Sequence, residues 1–344
     1  MSGDAPIDRG FCMPAEWEPH VRCWMAWPCR AALWGDGMMA AQVAYAEVAR
    51  AISEFEPVTM IARQDQVAEA SLACGPGIDV LPLPIDDSWT RDTGPTFVVD
   101  GQGGVAGVSW QFNVWGDNLP GYDNDARLAD ELLDHLEAEC FQAPFVLEGG
   151  SIHVDGAGTL ITTEQCLLNP NRNPLFSRGE IEEHLMQFLG IRKVIWLGEG
   201  LEDDETDGHV DNVAAFVRPG VIVATMPADP ADPNHRIMQD NIARLRGSRD
   251  AAGREIEVVE LPQPARRENP NGTRQALSYV NFYIANGGIV MPGFEDPEDA
   301  KARAVLDKLF PDRQVVQVSG SDIVVGGGCI HCITQQQPAG DPFG

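Results

Sequence analysis

A chain of 344 residues with 44% apolar content has ample material for a sizeable core, as one large domain or two medium ones. Its 24 basic against 52 acidic residues leave a net charge of −28, which argues against nucleic-acid or anionic-membrane partners. The Met1-Ser2-Gly3-Asp4 start shows no export signal, no apolar run is long enough to span a bilayer, and eight cysteines are too dilute for a disulfide scaffold. A cytoplasmic protein with reduced thiols is therefore expected.

In chain order, Met13 to His20 and Cys23 to Pro28 are too rich in proline and aromatics for a helix and read as extended coil and a first strand. Met39 to Phe55 carries Val43, Ala44, Val48, Ala51 and Ile52 at helical spacing, and Pro57 closes it. Val58 to Ile61 reads as a strand, Gln64 to Ala73 as a short helix and Ile78 to Leu83 as a strand. Val105 to Phe112 is a further strand, and Asp125 to Glu139 a helix with Leu128, Leu132, Leu133 and Leu136 on one face. Strands follow at Phe145 to Leu147, Ile152 to Val154 and Leu160 to Thr162, then a helix at Glu180 to Leu189 and a strand at Lys193 to Leu197.

His209 to Val217 and Val221 to Thr225 read as a strand pair, Asn234 to Leu245 as a helix and Ile256 to Leu261 as a strand. Tyr279 to Ala285 and Gly288 to Met291 read as a hairpin, Asp296 to Leu309 as the last helix, and Gln314 to Val318 and Ile323-Val324-Val325 as strands. That is roughly five passes of two or three strands and one helix, with no low-complexity linker between them. The expectation is an α/β protein of repeating ββαβ-type units forming one domain over residues 1–344. Hairpins outnumber simple βαβ steps, which disfavours a doubly wound sheet.

Three polar clusters interrupt the apolar strands: Asp86 to Pro95, Glu148-Gly149-Gly150-Ser151, and Asp203 to Asn212. Each places an acid beside glycine at the lip of a strand, where site residues are common and where ordinary turns also lie. A fourth stretch, Gly326-Gly327-Gly328-Cys329-Ile330-His331-Cys332, holds a thiol just past a glycine turn. Alone it reads equally as a buried structural cysteine. Together the four suggest a scheme. Converging carboxylates form a pocket suited to a cation, and a planar guanidinium matches two of them in a fork. A thiolate is the nucleophile for its carbon, helped by the cation beside it. One histidine can protonate the leaving nitrogen and later deprotonate water, and Asp211, two residues along a strand from His209, would face the same side. No metal or cofactor is required.

These blocks resemble the agmatine deiminases of the guanidine-modifying, or pentein, superfamily, which also holds peptidyl-arginine deiminases, arginine deiminases and amidinotransferases. The likeness runs through Met13 to His20, Asp87 to Pro95, Phe112-Asn113-Val114-Trp115-Gly116, Leu147 to Ser151, Thr206 to Asn212, Ser278 to Tyr283 and Gly326 to Gln336, almost the whole chain. The resemblance implies a five-bladed α/β propeller with pseudo-fivefold symmetry and the site at its centre. It implies Cys332 as nucleophile, His209 as general acid and base, Asp92 and Asp211 gripping the guanidinium, and Glu148 supporting them. Trp89 and Glu205 would line the pocket toward the substrate's far end. The implied reaction is hydrolysis of agmatine to N-carbamoylputrescine and ammonia through a covalent thiouronium adduct, a step toward putrescine and the polyamines, in a homodimer or larger homo-oligomer.

Two positions depart from that pattern: Cys329, where asparagine is usual, and Asp117, where a smaller residue is usual. Cys329 raises the questions of which thiol attacks and whether the pair forms an inactivating disulfide. The Cys-x-x-Cys spacing also admits a thiol–disulfide oxidoreductase, although such a box ordinarily opens a helix early in a fold. A structural zinc site lacks a second cysteine pair. Free arginine, a C-terminal arginine peptide or another alkylguanidine are alternative substrates, and a silent binding protein is the non-enzymatic reading. Glu205 and the acidic loops favour a substrate with a distal amine over one with a carboxylate. His20, His135, His153, His184 and His235 read as structural, and Arg91 as paired with an acid away from the site. The Met13 to Pro28 segment is a candidate subunit contact.

Overall fold

The computed structural model describes residues 5–117, 119–269 and 272–340. Its strands form five small mixed sheets built on one plan, an antiparallel pair followed by a helical crossover to a third, parallel strand. Strands β4 (Thr96–Val99) and β5 (Val105–Gln111) pair antiparallel, helix Leu128–His135 crosses, and β6 (Glu139–Val146) lies parallel to β5. The plan repeats with β7 (Ile152–Val154), β8 (Thr159–Thr163), helix Arg178–Leu189 and β9 (Lys193–Leu197). It repeats again with β10 (Ala214–Arg218), β11 (Val221–Met226), helix Pro233–Arg246 and β12 (Glu257–Pro262). The fourth unit is β13 (Tyr283–Ala285), β14 (Gly288–Gly293), helix Asp299–Leu309 and β15 (Gln314–Ser319).

The fifth unit joins the two ends of the chain. Strand β16 (Gln335–Pro338) pairs antiparallel with β1 (His20–Ala26), helix Met38–Ser53 crosses, and β2 (Val58–Ala62) lies parallel to β1. Helix Val67–Cys74 then leads to β3 (Asp79–Pro82), parallel to β2. β16 was not anticipated because it is polar. Its glutamines are buried all the same: Gln337 Oε1 accepts Trp24 Nε1–H at 3.0 Å, Gln336 Oε1 accepts from Arg91 at 2.8 Å, and Gln335 donates to the Pro95 carbonyl at 2.6 Å. Hydrogen bonds, not apolar alternation, stabilise this strand, so a hydrophobic pattern cannot reveal it.

The helices follow their sequence patterns. Met38–Ser53 buries Ala41, Ala44, Tyr45, Val48, Ala49 and Ile52 on one face, against its own β2, helix Val67–Cys74 and the neighbouring β14 and β15. Each of its larger apolar side chains contributes about 1.5–3 kcal/mol by burial. Helix Arg178–Leu189 starts at a reciprocal capping box between Ser177 and Glu180, worth about 1 kcal/mol, and Gly190 ends it at φ +65°.

Four local expectations are corrected. Ile323-Val324-Val325 is not a strand: Ser321–Val324 is a helical turn packed on helix Met38–Ser53, with Val325 about half exposed. A three-residue apolar run does not distinguish the two periods. His209 to Val213 is likewise not a strand. Val210–Asn212 is a 3-10 turn, and β10 begins only at Ala214. The helix expected over Asp125 to Glu139 ends at His135, because the chain turns through Glu137 at φ +52° into β6. Finally, Met13 to Pro28 is mostly buried, with β1 interior to its four-stranded sheet, which removes the reason for treating the segment as an exposed contact. Among the described residues no helix is long and apolar enough to cross a membrane.

The plan puts an equivalent turn at the same point of every unit. The segment just before the first strand of each unit is a short turn: Thr90–Thr93 before β4, Gly149–Ser151 before β7, Val210–Asn212 before β10, 278–282 before β13 and 329–334 before β16. These five turns hydrogen-bond to one another. Arg91 N–H donates to the Cys332 carbonyl at 3.2 Å, Gly150 N–H to Asp92 Oδ1 at 2.8 Å, Ser278 Oγ–H to the Asn212 carbonyl at 2.8 Å and His331 N–H to Asn281 Oδ1 at 2.9 Å.

Candidate active site

The turns bring five of the seven candidate residues into one buried cluster. Cys332, His209, Asp92, Asp211 and Glu148 are each no more than 6% exposed. The Cys332 sulfur lies 3.4 Å from Asp211 Oδ2 and 3.2 Å from Asn281 Nδ2. His209 sits between two acids, with Nδ1 3.8 Å from Asp92 Oδ1 and Nε2 3.7 Å from Glu148 Oε2, both longer than hydrogen bonds. Gly150 marks the convergence: a Cβ there would lie 2.6 Å from His209 Nδ1 and 3.0 Å from both Asp211 Oδ2 and Asp92 Oδ1. Only glycine leaves those three side chains their positions.

Each carboxylate is anchored by protein, Asp92 through both oxygens and Glu148 and Asp211 through one. Glu148 Oε1 accepts Arg172 Nε–H at 2.7 Å, and Glu148 Oε2 faces His209. Asp211 Oδ2 meets His331 Nδ1 at 2.9 Å, and Oδ1 is buried with no hydrogen-bond partner among the described residues. Asp92 Oδ2 accepts Trp115 Nε1–H at 2.9 Å. Trp115 is aimed there by backbone strain, since Val114 and Trp115 hold φ of +48° and +56°, uncommon for residues with a Cβ and costliest for a β-branched one. Asp117 shares the left-handed run at φ +64°, a conformation that aspartate tolerates.

Burial, then Asp211 and Asp92, push the Cys332 thiol well above its ordinary pKa. Burial works against a charge on His209, but Asp92, Cys166 and Glu148 outweigh it and hold the imidazole well above its usual value. Burial and the Asp211 charge raise Asp92, with His209 opposing. Burial likewise opposes ionisation of Asp211 and Glu148, yet His331 for the first, and His209 with Arg172 for the second, hold both below the usual carboxylate range. The site therefore combines anchored carboxylates with a protonated imidazole and a thiol that needs a cation to ionise.

A pocket of about 430 Å³ opens onto this cluster. Asp92 and Cys332 line its floor, Leu33, Trp89, Trp115 and Leu119 its apolar walls, and Asp204, Glu205, Thr206 and Asp207 its acidic side. Trp89 is buried and stacks on Trp34 with centroids 5.9 Å apart. Gly328 lets the nucleophile turn close over it: a Cβ there would fall 2.7 Å from the Trp89 ring and 2.9 Å from Cys332 Cβ. Glu205 is the exposed member, on the acidic side rather than in the buried cluster.

Reading the sequence missed Asn281, His331, Glu16 and Arg172. The first three lie inside motif blocks but are residue types common in structural roles; only their placement on the thiol (Asn281), on Asp211 (His331) or on His331 (Glu16) distinguishes them. Arg172 carries no sequence signal, since it meets Glu148 across 24 positions. Among the described residues Arg91 does not pair directly with an acid as expected. It donates to Gln336 and to the His331 carbonyl, because it lies in the Thr90–Thr93 turn rather than on a strand face. His153 and His20 are buried core histidines on Glu16 and Glu56. Cys329 is 1% exposed, and burial pushes its thiol up to about 12; among the described residues all cysteines are free thiols. A Cys-x-x-Cys redox centre needs an accessible, acidic first thiol, which this one is not.

Two trios bring ligand-type atoms within 4.8 Å of one another, Glu148 with Cys166 and His209, and Glu16 with His153 and His331. In the first Arg172 already neutralises the carboxylate, and in the second the ring nitrogens face Glu16 as hydrogen-bond donors. In both trios an imidazole stands beside a carboxylate that already has another protein partner.

A thiol, an imidazole and three carboxylates beneath an acidic pocket are the equipment for attack on a cationic, planar carbon, and comparison with known proteins agrees. The agmatine deiminase of Pseudomonas aeruginosa (strain LESB58) is 49% identical over 357 residues, covering 97% of this chain and 97% of that protein. The structure of an Enterococcus faecalis agmatine deiminase catalysing its reaction superposes with a TM-score of 0.95 at 38% identity, over 98% of this chain and 99% of that one. That of a C. jejuni agmatine deiminase with substrate bound gives 0.88 at 25% identity, over 96% and 97%. The fold is thus the α/β fold of the guanidine-modifying enzymes. Residues 12–338 match the model of one family among them across nearly the full length, and the chain belongs to that family, the Porphyromonas-type peptidyl-arginine deiminases.

Proposed function

We propose that this protein is an agmatine deiminase, hydrolysing a C–N bond of the agmatine guanidinium to give N-carbamoylputrescine and ammonia without a cofactor. The observation that carries the reading is the placement of the Cys332 thiol at the floor of a pocket whose charged side chains are all acidic. No Lys or Arg lines that pocket among the described residues. A guanidinium and a distal amine both suit such a surface, whereas the α-carboxylate of free arginine or of a C-terminal arginine peptide would face Glu205, Asp204 and Asp207.

In the mechanism that fits the geometry, Asp92 and Asp211 grip the guanidinium, whose charge lowers the Cys332 pKa so that the thiol gives its proton to solvent and the thiolate remains. The sulfur attacks the guanidinium carbon and forms the C–S bond. His209 gives its proton to the departing nitrogen, the C–N bond breaks and ammonia leaves a thiouronium adduct. The neutral His209 then takes a proton from water as the oxygen attacks. The C–S bond breaks with its electron pair returning to sulfur as thiolate, the remaining hydroxyl proton leaves to solvent, where ammonia takes it up, and the neutral ureido product is released. Glu148, anchored by Arg172, keeps His209 charged for the first half. All five units contribute to this one site, in keeping with a single catalytic unit whose units surround it like blades. Its place is in polyamine supply, in the cytoplasm as a homo-oligomer, and the net charge of −28 is unfavourable to nucleic-acid or anionic-membrane binding.

The test is ammonia release from agmatine, free arginine and a C-terminal arginine peptide, with wild type and Cys332→Ala under reductant. Turnover of agmatine alone, abolished by the substitution, is the expected result. Turnover that survives it would move the nucleophile to Cys329, and preference for either arginine substrate would overturn the assignment to agmatine.

A further inference from the structure

Behind the nucleophile, on the side of Asp211 away from the pocket, lies a chain of buried groups that the mechanism above does not use. His331 is 3% exposed, and its two ring nitrogens each face a carboxylate, Nδ1 at 2.9 Å from Asp211 Oδ2 and Nε2 at 3.0 Å from Glu16 Oε2. Glu16 is 4% exposed; its Oε1 accepts the Ile284 N–H at 2.8 Å and its Oε2 also lies 3.6 Å from His153 Nε2. His153 Nδ1 accepts the Phe216 N–H at 3.3 Å, which places the His153 proton on Nε2, pointing at Glu16.

An ionised carboxylate only accepts hydrogen bonds, and a neutral imidazole has one N–H to give. With acids at both ends, His331 satisfies both only as an imidazolium. We propose that His331 is a positioning residue: a buried imidazolium, clamped between Glu16 and Asp211, that keeps Asp211 ionised and fixes its Oδ2 beside the Cys332 sulfur, leaving Oδ1 without a protein partner among the described residues. The reading rests on the deiminase assignment only for what Asp211 then holds.

The charged groups around the ring support this balance. Facing it are Asp211 from the 210–212 turn, Glu16 from the N-terminal segment, His153 from β7, Arg91 from the 90–93 turn and the adjacent Cys332. Burial and Arg91 oppose a charge on His331, while Glu16 and Asp211 outweigh them and raise it. Glu16 is correspondingly held well below the usual carboxylate range by His331 and His153 against its burial. His153, lowered chiefly by burial, is the neutral partner. The clamp also offsets, together with His209, the Asp211 charge that stands 3.4 Å from the Cys332 sulfur. Removing the imidazolium disfavours the thiolate, even though His331 touches no substrate.

The test reads the proton and the thiol directly, without agmatine. Nitrogen-15 NMR of the histidine rings of the full chain, with His331 assigned by through-bond correlation, is expected to show both its nitrogens protonated at pH 8, where a free imidazole is neutral. Alkylation of Cys332 by iodoacetamide at pH 8, located by peptide mass spectrometry, should slow about tenfold in His331→Gln, the effect of a thiol pKa raised by about one unit. Glu16→Gln, which lies outside the pocket and leaves the imidazole its bond to Asp211, should slow it in the same direction. The fold of each variant is checked by circular dichroism. A singly protonated His331 ring in the wild type overturns the proposal whatever the variants do, as does unchanged alkylation in a folded variant. If the ring is doubly protonated and agmatine is not turned over, the functional assignment fails and the clamp stands.

Discussion

The side-chain amide of Asn281 directs Nδ2 at the Cys332 sulfur from 3.2 Å, and its orientation is set by Oδ1 accepting the His331 N–H at 2.9 Å. A neutral donor on the sulfur, in a site where burial and two carboxylates oppose ionisation, favours the thiolate specifically. Asn281→Ala should lower kcat by about 10- to 100-fold, the range for a hydrogen bond to a charged group. Iodoacetamide alkylation of Cys332 at pH 8 should slow with it. Unchanged values for both would remove Asn281 from the site.

Trp115 plays the matching part for Asp92. Its indole N–H reaches Asp92 Oδ2 at 2.9 Å, while burial and Asp211 already push that carboxyl up. Trp115→Phe keeps the pocket wall and deletes the donor. The expected result is a KM for agmatine raised about tenfold or more, with a smaller change in kcat. A variant with kcat reduced and KM intact would show that the indole acts on the chemistry instead.

Glu205 tests the far end of the pocket. It is exposed, so its attraction for a distal amine is screened and worth about 0.2–1 kcal/mol. Glu205→Gln should raise the KM for agmatine by about 1.5- to 5-fold at low salt and less at high salt. An alkylguanidine of the same length without the amine should show no such change. Equal effects on the two substrates would mean that Glu205 acts on the loop rather than on the amine.

The activity has a predictable pH dependence. The Cys332 pKa is raised in the folded protein, so the reactive thiolate fraction, and kcat/KM with it, grows as pH rises from 7 to 9. The His209 pKa is also raised, so its acid form persists at neutral pH and is lost only as pH climbs through that elevated value. Activity is thus expected to rise through neutrality and turn down on the alkaline side. Asp92→Asn removes the carboxylate that does most to raise His209, and in its residual activity the alkaline fall should move to lower pH. A wild-type profile that is flat or falling between pH 7 and 9 is incompatible with these directions.

The repeat was legible because its helices and most inner strands bury apolar residues at regular spacing. Lys193–Leu197 and helix Arg178–Leu189 lie almost where their patterns place them. Elements held by polar contacts were not legible. β16 is a buried strand of glutamines, and Val210–Asn212 is a turn that periodicity rendered as strand.

For the site, acids, a histidine and a thiol beside glycine at strand ends pointed to the right stretches, and the resemblance to the agmatine deiminases implied Cys332, His209, Asp92, Asp211 and Glu148 within them. What only the tertiary structure decided is which partner anchors each acid. Arg172 on Glu148, Trp115 on Asp92 and His331 on Asp211 are contacts across 24, 23 and 120 positions of the chain. They exist because five turns, each at the same point of its own ββαβ unit, are hydrogen-bonded into one buried cluster. A sequence determines the side chains that such turns carry; the partner of a buried charge, and with it the charge state, is set by the packing of units far apart in the chain.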